Sequence, residues 1–214
     1  VSKEPAPPKR RTQQERKQST IARLIESTID SIAEVGYANT SVGEICRRSG
    51  VSRGGLFRHF DSRLSLVVAA AEEVAVQHLA VVRRRLAQEP ERDLRETLLL
   101  MRERHRHEAN VVWFELLVAA RTDSDLRKQL TPVAERFFET ISTVARDVPA
   151  LRGLSDEDRH LLVSTVRNLF DGEVISRSVV PEPAVEAERL DLLAEFAEFL
   201  VTRRARVAAA ERSR

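Results

Sequence analysis

The residues with the most chemical character crowd into one stretch, GVSRGGLFRHF, from Gly50 to Phe60. Arg53 and Arg58 are cations suited to an anion, and His59 donates or accepts a proton-bearing bond. Between the arginines stand Gly54 and Gly55, inside what the surrounding pattern marks as a short helix. Each glycine in a helix interior costs about 1 kcal/mol relative to alanine, so the pair demands a reason. A glycine cradle for nucleotide phosphates is one rival reading. It fails because no Gly-Lys-Ser/Thr follows and no strand pattern precedes.

Other reactive side chains are sparse. His105 and His107 are two apart, hence on different helix faces, and make a poor metal pair. No Ser/His/Asp order, nucleophile elbow or paired carboxylates at a cleft is readable, which disfavours an enzyme and implies no cofactor and no metal. The lone cysteine, Cys46, excludes an intrachain disulfide and fits a reducing, cytoplasmic setting. It reads as a small core residue rather than a redox-sensing thiolate. No apolar run approaches the ~18 residues of a membrane span, and the N-terminal VSKEPAPPKRR lacks the apolar region of a signal peptide.

The net charge of +2 hides a division: residues 1–63 hold 12 Lys and Arg against 7 Asp and Glu, the remainder 23 against 26. A basic first third suggests a polyanionic partner, with a separate task for the rest.

These residues must be positioned by helices. Residues 1–11 are Pro-rich and basic, and read as a disordered arm. From 12 to 35, Ile21, Leu24, Ile25, Ile29, Ile32 and Val35 recur at three- and four-residue spacing, an amphipathic helix with a Thr12/Glu15 capping box and a stop at Gly36. Ser41 and Glu44 offer a second capping box for a helix over 42–48, ended by Gly50; Ser52 caps another over 53–59. A long apolar-periodic segment then runs from 62 to 87. Beyond Pro90 come helices over 92–108, 111–121, 124–147 (bent or broken near Pro132), 156–179 and 184–206, with a tail over 207–214. The fold class is all-α with about nine helices. Residues 12–63 form a first domain, and 64–206 a second.

With Val42 as first position, Cys46 is the small residue at the closest approach of two crossing helices, and Gly50 supplies a turn at positive φ. Ile45, Val51, Leu56 and Phe60 wedge this pair against the first helix. The segment GYANTSVGEICRRSGVSRGGLFRHFDSRLSLVVAA resembles the helix-turn-helix of the TetR family of transcriptional regulators over about residues 15–70. The matching positions include Gly36-Tyr37, Thr40, Val42, Glu44-Ile45, Gly50-Val51-Ser52, Gly54, Leu56-Phe57, His59-Phe60, Ser62 and Leu66. Cys46 departs from the alanine common there, and Phe57 from the commoner tyrosine, which removes a hydroxyl able to reach phosphate.

The resemblance accounts for the glycines. A recognition helix in a major groove about 12 Å wide gains from a thin face, so Gly54 and Gly55 would let the backbone approach DNA. Arg53 is then the candidate for pairing with guanine. The implied DNA face comprises Thr40, Ser41, Ser52, Arg53, Gly54, Gly55, Phe57, Arg58, His59 and Arg63, with Arg63 positioning the phosphate backbone. Arg58 equally suits a solvated surface, and His59 a packed helix end.

For the second domain the resemblance implies a small-molecule cavity. Met101, His105, Trp113, Phe114, Leu117, Phe137, Asn168 and Phe170 are its candidate lining, with Asn168 read as buried; plain core packing is the alternative. It also implies a homodimer through the last two helices, at Leu161, Thr165, Leu169, Leu193, Phe196 and Leu200. The expected function is a repressor on a pseudo-palindromic duplex DNA operator, released by a largely hydrophobic effector through the lever of the fourth helix. A constitutive DNA-binding protein is the alternative.

Overall fold

The computed structural model describes residues 12–89 and 92–212, together with the side chains of these residues except 108, 109 and 204–212. The arm over 1–11 lies outside the described residues. Every described element is a helix: α1 Gln13–Asn39, α2 Val42–Ser49, α3 Arg53–Phe57, α4 Arg63–Gln88, α5 Leu94–His105, α6 Glu108–Ala119, α7 Ser124–Arg146, α8 Asp156–Arg177 and α9 Pro183–Arg212. The chain divides into two compact units at the Ala70–Ala71 step, inside α4.

Local chemistry sets the first unit. Thr12 and Glu15 form the expected reciprocal cap, Glu15 N–H donating to Thr12 Oγ1 at 3.2 Å and Thr12 N–H to Glu15 Oε2 at 2.7 Å. Gly36 breaks the helix at φ 80°, ψ 165°, yet a last turn re-forms as far as Asn39. Ser41 caps α2 through Glu44 N–H at 3.1 Å. Its capping box is only half made, because the Glu44 carboxylate turns to Arg47 and Arg48 instead. Gly50 closes α2 in the left-handed region at φ 65°. α3 stops at Phe57, short of the expected 59. Leu24, Ile45, Val51, Leu56 and Leu66 form the core, with Cys46 half-buried against it as expected. Each such aliphatic side chain contributes about 1.5–3 kcal/mol on burial.

α4 is the one described helix long and apolar enough to cross a membrane, with mean hydropathy 1.5 over its best window. Sequence reading looked for an unbroken run and missed it, because Glu72, Glu73, Gln77 and His78 interrupt the segment. Buried Leu66, Val67, Ala70, Ala71 and Val74 account for that hydropathy as protein core.

In the second unit, α7 passes through Pro132 as one helix rather than breaking. Pro132 has no N–H for the Lys128 carbonyl, and both residues are exposed, on the solvent side of the helix. A 3₁₀ turn at Pro149–Leu151 follows, and α9 continues to Arg212 in place of a tail from 207. Leu98, Leu162, Val166, Phe170, Leu190 and Leu193 anchor the core. Beside it lies a hub of charge. The Glu173 carboxylate, 2% exposed, meets Arg102 at 3.0 Å, Arg189 at 3.3 Å and Arg106. Arg106 also reaches Glu186 at 2.6 Å, tying α5, α8 and α9 together.

Candidate nucleic-acid interface and effector cavity

The first unit presents α3 from a capped start. Ser52 Oγ accepts from Gly55 N–H at 3.1 Å, and the exposed Ser41 and Ser52 hydroxyls each keep a proton to donate. Arg53 and Arg58 are exposed and make no ion pair among the described residues. The Arg53 guanidinium lies beside α2, 3.8 Å from where a Cβ on Gly43 would stand. Phe57 is 50% exposed. His59 is half-buried and its Nδ1 has no partner among the described residues.

The two glycines separate. A Cβ on Gly54 would meet nothing within 4 Å, so its smallness faces outward. A Cβ on Gly55 would stand 2.9 Å from Val51 Cγ1. Gly55 is therefore small for internal packing, a correction to the reading of both as a thin outer face.

Two further residues leave the expected DNA face. Thr40 is fully buried; its hydroxyl donates to Gly36 O at 2.9 Å and lies 3.0 Å from Ser31 Oγ, holding the Gly36 break. Arg63 donates through Nε to Thr40 O and through Nη2 to Tyr37 O, with its guanidinium 4.4 Å from the Tyr37 ring centroid. It clamps the α1–α2 connection rather than waiting for phosphate. Arg47 and Arg48 are likewise engaged, at 2.7 and 2.5 Å from Glu44. Their hydrogen bonds hold the Glu44 carboxyl down at about 2.

In the second unit, Met101 and His105 line an apolar cavity of ≈ 30 Å³ with His78, Leu79, Ile141 and Arg167, room for one or two waters. Trp113, Phe114, Phe137 and Phe170 are buried but do not line this cavity; Trp113 packs on Phe137, Phe137 on His78 and Phe170 on His105. Leu117 belongs to a separate open groove with Arg121 and Arg127. Asn168 is exposed and accepts only from Arg167 at 3.2 Å, so it is no cavity residue. The buried asparagine is Asn110, whose Oδ1 lies 3.2 Å from His78 Nδ1 and whose amide donates to Arg104 O at 2.8 Å.

Sequence reading missed His78, Asn110 and Arg167. His78 had one signal, a polar residue on the apolar stripe of α4. Burial, then the neighbouring His105 and Arg104, push its pKa down to about 4. His105 donates from Nδ1 to Met101 O at 2.7 Å, and burial lowers its pKa, with Arg167 and Arg104 adding to that. Its Nε2 faces Asp171 Oδ1 at 3.5 Å, and burial raises that carboxyl to about 6.

On α8 and α9, Leu161, Thr165 and Phe196 are exposed, with Ile175, Leu192 and Phe199 adding apolar surface. Leu169 and Leu200 are half-buried against the core. Leu193 is 5% exposed and belongs to the core of the second unit, which corrects its place on an expected interface.

Comparison with known proteins matches residues 24–70 to the family described as bacterial regulatory proteins, tetR family. An uncharacterised HTH-type transcriptional regulator of Mycobacterium tuberculosis is 38% identical over 185 residues, which cover 86% of this chain and 95% of the relative. The HTH-type transcriptional regulator CymR of Pseudomonas putida is 33% identical over 168 residues, 76% of this chain and 83% of that one. The crystal structure of the multidrug binding protein EbrR complexed with imidazole shares the fold at TM-score 0.62 and 21% identity, covering 86% of this chain and 93% of EbrR.

Proposed function

This chain belongs to the TetR family of transcriptional regulators and is a DNA-binding regulator rather than an enzyme; we propose that it is a homodimeric repressor whose α3 reads duplex DNA and whose second unit answers to a small, largely hydrophobic effector. The observation that carries the DNA reading is α3 itself, a helix with a Ser-capped start, an outward Gly54 with empty space beyond it, and Arg53 and Arg58 without acidic partners among the described residues. Arg53 makes the base contact and Arg58 a phosphate contact. The exposed apolar residues of α8 and α9 supply the twofold contact that would present two copies of α3 to a pseudo-palindromic operator.

Operator sequences selected from a random pool provide the test. Arg53→Ala should relax preference at one position per half-site by about 1–3 kcal/mol, and affinity should fall steeply with salt. Uniform loss over all sequences, or affinity indifferent to salt, would overturn this reading of α3. The effector reading is supported by His78, His105 and Arg167 converging on an otherwise apolar cavity, and by a fold neighbour that binds drugs. The ≈ 30 Å³ volume favours the constitutive alternative. Trp113, 5.0 Å from Phe137, reports the difference, since its emission should shift with compounds that release DNA.

A further inference from the structure

Arginine pairing in the second unit is uneven. Arg102, Arg106, Arg159 and Arg189, like several exposed arginines, each meet a carboxylate. Arg167 and Arg104 meet none among the described residues, although both are partly buried. Arg167 lines the apolar cavity and lays its guanidinium 3.8 Å from the Phe138 ring centroid, held otherwise only by Asn168. Arg104 acts on both His78 and His105, and its buried Nε has no partner. Of the titratable groups here, Arg167, His78 and His105 line the cavity, while Arg104 and Asp171 stand beside the histidines and Asp171 also feels the charge of Arg167. A cation on an apolar wall with no carboxylate at ion-pair distance among the described residues, Asp171 acting on it only from further off, fits an amphiphilic anion.

We propose that the effector is a hydrophobic carboxylate, its carboxyl group paired with Arg167 and its apolar body seated between α4, α5, α7 and α8. This rests on the reading that the second unit holds an effector. An occupant enters by displacing the unbranched Met101 and the Arg167 head, the two lining side chains most free to move. Arg167 leaves a ring contact and one neutral hydrogen bond, so exchanging them for a carboxylate gains a charge-assisted pair.

Benzoate and benzamide, matched in shape and differing in charge, test the proposal on the full chain through Trp113 emission. Benzoate should bind about tenfold or more tightly than benzamide, the ratio a charge-assisted hydrogen bond gives. Arg167→Gln should erase that ratio, and Arg167→Lys should keep part of it, a control against misfolding. Equal affinities in the unaltered protein, or a ratio that survives Arg167→Gln, would overturn the carboxylate proposal and leave the effector reading standing. If neither compound moves Trp113 emission or raises the melting temperature, the effector reading falls and the proposal with it.

Discussion

The two units bury polar groups of different kinds. In the first, the buried polar residues are hydroxyls: Ser27, Thr28, Ser31, Thr40 and Ser49. In the second they are mostly ionisable or amide side chains, among them His78, Arg102, Asn110, Arg159, Glu173 and Glu186. A hydroxyl can be satisfied within one helical turn, as Thr28 is by Leu24 O at 2.7 Å. A buried charge needs an opposite charge, and Glu173 finds Arg106 across 67 residues of chain. The first unit is therefore built from local agreements. The second depends on distant partners arriving together.

The strongest way to break that contrast is to remove one charge from the hub. Glu173→Ala leaves Arg102, Arg106 and Arg189 without their shared carboxylate in a site 2% exposed. The expected loss is about 3–5 kcal/mol, because Glu186 alone is left to balance the buried arginines. Thr28→Ala removes one locally satisfied hydroxyl and should cost about 1 kcal/mol. Both are read by chemical denaturation. Equal costs would mean that the hub is solvated well enough to matter no more than a hydroxyl.

The same contrast explains how much was legible in the sequence. Caps and turns announce themselves within four residues, so Thr12, Ser41, Gly50 and Ser52 were placed where the structure has them. Arg63 was misplaced because its acceptors lie 23 and 26 residues away. Thr40 was misplaced because a hydroxyl beside a helix cap looks alike whether it faces DNA or Gly36. In the second unit, α6 is apolar nearly all round, and such a face carries no mark of whether it lines a void or fills one. Asn168 was read as buried from its apolar neighbours in sequence, yet on α8 it falls on the outer face while Phe170 points inward. Arg167 carried no signal, because an arginine on a helix does not show in sequence which face it takes.

A second expected effect concerns acid. The folded state keeps His78 unprotonated down to about 4, whereas the unfolded chain takes up that proton near 6.5. Its contribution is present above 6.5 and lost as pH falls toward 4, roughly 3 kcal/mol over that window. His105, also lowered, acts in the same direction. Asp171 opposes them: its folded pKa is raised from 3.8 to about 6, so its contribution is present below 3.8 and lost as pH rises through 6. Acidification from 6.5 to 4 thus weakens the fold through the histidines and strengthens it through Asp171. Asp171→Asn removes the opposing member, so the variant should lose stability over that window more steeply than the unaltered chain. Denaturation followed by Trp113 emission at stepped pH checks this. Parallel pH profiles would show that Asp171 does not titrate there.

The smallest expected effect separates the two glycines of α3. Gly55→Ala gains helix propensity of about 1 kcal/mol but drives a methyl to 2.9 Å from Val51 Cγ1. Val51 is buried and β-branched, so it yields little, and overpacking of this kind costs about 1–3 kcal/mol. The balance should be a net loss of about 1 kcal/mol. Gly54→Ala meets nothing within 4 Å, so the propensity gain should stand almost whole and the unit should become more stable by up to about 1 kcal/mol. Helicity followed during denaturation gives the two signs. DNA affinity gives the decisive comparison, because the Gly54 methyl would stand where the backbone of α3 meets the groove. Gly54→Ala should bind the selected operator more weakly while folding more strongly. A variant that gains stability and keeps full affinity would move the DNA contact off this face of α3 and leave Gly54 without a role in recognition.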